Sequence, residues 1–283
     1  MIDLQLHTTD SDGTWTWDKV LQTCLDMKLK AFAITDHDTI DRHEEIKAWG
    51  KKNNAMVIPG IELSTKEKGQ TVHLLGYFLD GSKVNLEQRL KYLREERIVR
   101  NGKMIRKLQS VGVAINEEEV LSISGHAPMG RPHIARVLLN KGIVQSIPEA
   151  FERFLSPTGS AYFPKEEIPL KEGINLLQEA GAVTSVAHPG LLRRSGEELE
   201  KSLTVWKEWG LDGLEAIYPM YNEYQTSFFD RMCTKYDFIR TGGSDFHGEN
   251  KPQIKIGVGA GNFSVPDELL EPLLSKRKIS NDK

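Results

Sequence analysis

Five of the eight histidines, His7, His37, His73, His188 and His247, stand close to carboxylates at or near the ends of short apolar runs. Asp3, Asp12, Asp36, Glu62 and Asp245 supply the acidic partners. Neutral imidazole and carboxylate oxygen both donate to borderline divalent cations, so the set suits Mn²⁺, Fe²⁺ or Zn²⁺ with no cysteine ligand. Taken singly, each group has a plain alternative. Asp36 in Thr35-Asp36-His37-Asp38 can cap a helix, and Ser11-Asp12-Gly13 is a generic turn. Taken together they converge as packing alone does not require.

The elements that must position these groups follow from hydrophobic pattern. Asp3, Gln5 and His7 alternate with Ile2, Leu4 and Leu6, and a period of two sends the sets to opposite faces of a strand. In a helix-covered barrel the polar set then points into the lumen, at the strand ends where barrel enzymes place their chemistry. Further strands are expected over 31–35, 56–63, 72–77, 183–187, 213–218 and 238–241, separated by helical stretches. That alternation reads as βα units around a parallel sheet or barrel. Between 78 and 164 the texture changes to helices, with a long one over 85–110. The expected organisation is an α/β barrel in two parts, 1–79 and 165–283, with an inserted helical substrate-binding domain at 80–164.

At 283 residues, with 27% charged and 39% hydrophobic side chains, the chain has an ordinary globular composition and enough length for one large core. Its formal net charge is −3, which argues against coating of nucleic acid by a basic surface. Cys24 and Cys233 form no CxxC pair, so neither a disulfide framework nor a cysteine-rich zinc module is expected. No apolar run approaches the ~18 residues of a membrane span, and Met1-Ile2-Asp3 does not open a secretory leader. A cytoplasmic protein without membrane attachment is expected. No Gly-x-Ser-x-Gly elbow and no Gly-x-x-x-x-Gly-Lys loop is present, which excludes the common serine hydrolase and P-loop patterns.

Asp3-Leu4-Gln5-Leu6-His7, Ser11-Asp12-Gly13, Thr35-Asp36-His37-Asp38, Pro59-Gly60-Ile61-Glu62, Val72-His73, Ala187-His188-Pro189-Gly190 and Gly243-Ser244-Asp245-Phe246-His247 together resemble the PHP (polymerase and histidinol phosphatase) family of metal-dependent phosphoesterases. Gly130-Arg131-Pro132-His133-Ile134-Ala135-Arg136 further resembles the stand-alone subgroup of 3′,5′-nucleotide bisphosphate phosphatases and exonucleases acting on short RNA. The resemblance implies a distorted (β/α)7 TIM-like barrel with a trinuclear metal site at its mouth, loaded with two or three divalent ions. His7, Glu62 and Asp245 match the ligands of the first metal. Glu62, His73 and His188 match those of the second, and Asp12, His37 and His247 those of the third. Asp3 and Asp36 match residues that orient the ligand imidazoles and so serve catalysis. The family pattern on the first strand is Asp-x-His-x-His, and Gln5 replaces its first histidine, which predicts a loosely held first metal. The implied reaction is hydrolysis of a phosphate ester by metal-activated water. The implied substrate is a small phosphorylated molecule, a 3′,5′-bisphosphate nucleotide or the 5′ end of a short oligonucleotide, without a stable nucleic-acid partner. A degenerate metal-binding domain without catalysis, a histidinol phosphate phosphatase and a C–N cleaving amidohydrolase stand as alternatives.

Substrate contacts are expected from the insertion. Pro132 suits the first turn of a helix, and a helix N-terminus flanked by Arg131 and His133 reads as a phosphate clamp, with Arg131 also a catalytic candidate. The alternative is a capped helix with solvent-facing Arg and His. Lys165 lies where the chain re-enters the barrel and is a further phosphate contact. The helix over Arg89–Lys107 carries eight cations against Glu95 and Glu96, a net +6 that leaves −9 for the rest. Arg94, Arg97, Arg100 and Lys103 recur every three residues near one face, either as a guide for a phosphorylated chain or as a solvated surface. His43 and His126 receive no role.

Overall fold

The computed structural model describes residues 1–124, 129–261 and 263–281; His126 lies outside them. The first part of the chain runs β1 (Asp3–Leu6), α1 (Trp17–Asp26), β2 (Phe32–Ile34), α2 (His43–Asn53), β3 (Val57–Glu67) and β4 (Gln70–Tyr77). Four helices follow, α3 (Val84–Ser110), α4 (Glu117–Ser124), α5 (Arg131–Asn140) and α6 (Ile147–Ala150). The chain then resumes β5 (Ile168–Pro169), α7 (Leu170–Glu179), β6 (Val183–Val186), α8 (Gly196–Glu208), β7 (Gly213–Ile217), α9 (Glu223–Tyr236), β8 (Ile239–Gly242) and α10 (Leu270–Asn281).

Two compact units result. One comprises residues 1–87 and 168–283, the other 88–167. The first is a mixed α/β fold around a curled sheet of order β1-β2-β3-β4-β6-β7-β8, with β5 paired to β3. The segment after β8 bonds to β1: His7 N donates to Phe246 O, and Asp245 N donates to Gln5 O, both at 3.0 Å.

The sheet is not all parallel, contrary to the expected βα units. β4 runs antiparallel to both β3 and β6. The cause is local: Glu67 pairs with Gln70, so only Lys68 and Gly69 connect the strands, and both have positive φ, 48° and 76°. That is the geometry of a two-residue primed hairpin turn, which reverses the chain at once. The reversal matters for His73. Early residues of an antiparallel strand lie at the same end of the sheet as late residues of its neighbours, so His73 meets Glu62.

Strict alternation along β1 also fails. Ile2 and Leu4 pack with Tyr77, Val183, Val265 and Leu273, whereas Leu6 packs with Val20, Leu21 and Phe32. The β1–β2 register shifts between Asp3 and Leu6, and an irregularity there turns the strand's later residues to a different face. The 88–167 unit has its own core, in which Met104 and Leu108 of α3 pack with Ile134 and Leu138 of α5 and with Phe154.

Candidate metal centre

Glu62 is the centre of the cluster. It is fully buried in β3, where Glu62 N donates to Asp36 O and Asp38 N donates to Glu62 O, which holds the loop after β2 against it. Its Oε1 lies 2.8 Å from His73 Nδ1 and 3.1 Å from His188 Nε2. Its Oε2 lies 2.9 Å from His7 Nε2 and 3.8 Å from His37 Nε2. Two further carboxylates complete the arrangement. Asp245 Oδ1 is 3.4 Å from His7 Nε2, and Asp12 Oδ1 is 3.2 Å from His247 Nε2.

Ligand atoms within 4.8 Å of one another fall into three overlapping groups: His7, Glu62 and Asp245; His37, Glu62 and His73; and His7, Asp12, His37 and His247. His188 joins the second through Glu62. All eight residues expected as ligands are therefore brought together, from within β3 and β4, from the segments just after β1, β2, β6 and β8, and from the loop after β1. Asp12 depends on that loop folding back tightly. A Cβ at Gly13 would stand 2.6 Å from His7 O, so glycine is needed for the approach. Likewise a Cβ at Gly243 would stand 2.5 Å from Gln5 N, which lets the segment carrying Asp245 and His247 lie against β1.

The donor set fits divalent cations. Among the described residues both ring nitrogens of His7 are buried without a hydrogen-bond partner, although Nε2 is 2.9 Å from Glu62 Oε2. His37 Nδ1 and Gln5 Oε1 are similarly orphaned. Buried polar atoms normally find partners, and nitrogens close to a carboxylate but off hydrogen-bonding geometry suit lone pairs aimed at a shared ion. The charges also depend on one another. Burial raises the pKa of Glu62, but His37, His73, His188 and His7 outweigh it and hold the carboxyl well below its usual range. Burial lowers that of His7, but Asp245 and Glu62 hold it well above the usual imidazole value. Burial wins at His37, which falls to about 4 despite Glu62.

Among the described residues Asp3 and Asp36 bond to no imidazole; both grip backbone. Asp3 accepts from Ser244 N and Gly257 N, each at 2.8 Å, and burial lifts its pKa to about 6. Asp36 accepts from Thr8 N and Thr8 Oγ1 at 2.7 Å and from Ser11 Oγ. Each therefore fixes a loop that carries ligands, Asp245 and His247 in one case and Asp12 in the other.

The sequence reading overlooked three neighbours. Lys251 Nζ lies 2.5 Å from Asp245 Oδ2, and Tyr218 OH donates to the same oxygen at 2.8 Å. Glu215 Oε2 accepts from His188 N at 2.7 Å, steadying a residue whose φ is 31°. A lone carboxylate inside the apolar run Gly213–Ile217 was the available signal for Glu215. Nothing comparable marks Lys251. His43 is a structural residue, its Nε2 2.9 Å from Gly60 O.

In the 88–167 unit, Arg131 opens α5, and Gly130 N donates to His133 Nδ1 at 3.0 Å. His133 therefore caps its own helix. Arg131 Nη1 donates to Leu155 O at 3.2 Å, and its guanidinium lies 5.8 and 5.9 Å from the rings of Phe151 and Tyr162. Arg100 of α3 is held down to about 10 by burial and by Arg131 and Arg97. Lys165 is partly buried.

The profile of the PHP domain family matches residues 3–156, more than half of the chain. The chain belongs to the PHP domain family. The 5′-3′ exoribonuclease of Haemophilus influenzae is 29% identical over 248 residues, covering 87% of this chain and 89% of that protein. The 3′,5′-nucleoside bisphosphate phosphatase of Chromobacterium violaceum is 25% identical over 257 residues, 90% of each. A metal-dependent phosphoesterase structure from Bifidobacterium adolescentis superposes with a TM-score of 0.80 at 28% identity, covering 97% of this chain and 96% of that one. These relatives are hydrolases of phosphate esters, and this PHP chain is a metal-dependent phosphoesterase. Among the described residues no helix is long and apolar enough to cross a membrane.

Proposed function

We propose that the protein removes a phosphate from a 3′,5′-bisphosphate nucleotide or cleaves the 5′ end of a short oligonucleotide. The observation that carries this is Glu62, whose two oxygens each face imidazoles from different strands. His7, Asp12, His37, Glu62, His73, His188, Asp245 and His247 would hold two or three cations, with Mn²⁺, Fe²⁺ and Zn²⁺ all compatible with the donors. Bound there, such ions supply an acidified water and neutralise charge on the phosphoryl group. Asp3 and Asp36 keep the ligand loops in place through their backbone bonds. We read the curled sheet as a distorted (β/α)7 barrel joined between β1 and the segment after β8. The 88–167 unit is the inserted substrate-binding domain, and Arg131, His133 Nε2 and Lys165 contact phosphate. The buried free thiols Cys24 and Cys233 suit a reducing cytoplasm.

The test is phosphate release from 3′-phosphoadenosine 5′-phosphate and from a short 5′-phosphorylated RNA, after chelation and again with Mn²⁺ restored. Mn²⁺-dependent turnover of either supports the reading, and their ratio assigns the substrate. Turnover of histidinol phosphate alone, or purine deamination without phosphate release, would replace it. Bound metal with no turnover points to a degenerate centre.

A further inference from the structure

The three ligand groups differ in what surrounds their carboxylates. Around Glu62 Oε1 stand His73 and His188, and around Asp12 stand His247, His37 and His7. Neutral imidazoles bring lone pairs that a cation can use. Around the group of His7, Glu62 and Asp245 the neighbours are of another kind. Gln5 Nε2 donates to Glu62 Oε2 at 2.9 Å, and Lys251 Nζ and Tyr218 OH both bond Asp245 Oδ2, at 2.5 and 2.8 Å. An ammonium, an amide NH₂ and a phenol hydroxyl used as donors turn protons to these oxygens, and the buried acceptor Gln5 Oε1 is an amide oxygen, a weaker ligand for these cations than imidazole. These donors satisfy the carboxylates with protons. Lys251 also places a fixed positive charge on the oxygen of Asp245 beside the position a cation would take, where repulsion is weakly screened.

From this juxtaposition we propose that Gln5 and Lys251 take the place of the cation that His7, Glu62 and Asp245 would otherwise share, so that the chain works with two tightly held metals and an internal ammonium. The Gln5 amide binds Glu62 and the Lys251 ammonium binds Asp245, and between them they supply the positive face that a third ion would present. Lys251 is about one third exposed, so the ammonium lies near the surface. The proposal rests on the reading of the cluster as a hydrolytic metal centre.

The test counts metal. Protein stripped with chelator is reloaded with excess Mn²⁺, desalted, and assayed for Mn per chain, alongside phosphate release from the same preparation. The wild-type chain is expected to retain two equivalents, and the double variant Gln5→His/Lys251→Met three. In a Mn²⁺ titration, Lys251→Met alone should bind a third ion about tenfold more tightly than wild type. Three retained equivalents in the wild type overturn the proposal, as do fewer than two, or two in a double variant that keeps the wild-type circular dichroism and melting temperature. If the double variant does not fold, the wild-type count still decides. Three equivalents with Mn²⁺-dependent phosphate release overturn this inference alone, whereas no retained metal and no release overturn the hydrolytic reading with it.

Discussion

At the strand ends, His7 lies between Glu62 and Asp245 at 2.9 and 3.4 Å, whereas in the 88–167 unit Arg97, Arg100 and Arg131 place like charges in one neighbourhood. The two regions are charged at a cost for opposite reasons. In the first, imidazoles and carboxylates offset one another, and the remaining deficiency is one of lone pairs left without a partner. In the second, the arginines repel one another, and Tyr162 and Glu167 offset only part of that repulsion and of burial at Arg100. On the proposed reading, a cation would complete the first region and a phosphate would bind in the second.

The comparison is tested most severely at Glu62. Glu62→Gln keeps the size of the side chain but removes the charge that two of the three ligand groups share. Phosphate release should fall on the order of 10³-fold or more in kcat/KM, as when an electrostatic element of a transition state is lost. Mn²⁺ retention should fall with it. A variant that still turns over would show that the cluster is not the reacting centre.

Arg131→Ala addresses the other region. Loss of one charge-assisted contact to phosphate is worth about 1.5–3 kcal/mol, so KM should rise roughly 10- to 100-fold, with kcat within a few-fold and Mn²⁺ retention unchanged. A collapse of kcat with unchanged KM would erase the distinction between the regions.

The ligand set was the most legible part of the molecule, because most of its residues stand at or near the ends of short apolar runs, and strand ends converge wherever a sheet curls. The surrounding contacts were not legible. Asp3 and Asp36 hold backbone amides of loops, and nothing in a carboxylate's sequence position shows whether an imidazole or an amide will meet it. β4 was expected to be parallel, although Lys68-Gly69 carried the hairpin signal within a run of polar residues. β5 is too short to show a period. Lys251 follows a glycine turn in an ordinary polar stretch, and its partner Asp245 becomes visible only once the loop closes on β1.

Buried histidines distinguish structure from chemistry in a further way. His43 is buried, and burial lowers its pKa to about 4. Its folded value lies below its unfolded one near 6.5, so the unfolded chain binds the proton first. Stability is therefore full above pH 6.5 and is lost as pH falls toward 4, by roughly 3 kcal/mol at most. Urea unfolding of the metal-free protein at pH 7 and pH 5 should show that loss, and His43→Gln should reduce it. An unchanged pH dependence in the variant would assign the acid sensitivity to the metal cluster instead.

The smallest expected effect separates the partly buried arginines of α3 from its solvated cations. Arg94, Arg97 and Arg100 are partly buried, whereas Lys103 on the same three-residue spacing is exposed. An exposed lysine holds a phosphate only as a screened point charge. Lys103→Ala should therefore leave KM for a mononucleotide unchanged. For a short RNA, a backbone contact released by the substitution flattens log KM against log salt by about 0.7. If Lys103→Ala leaves that slope unchanged as well, the stripe beyond Arg100 is a solvated helix face, and recognition is confined to the group around Arg131.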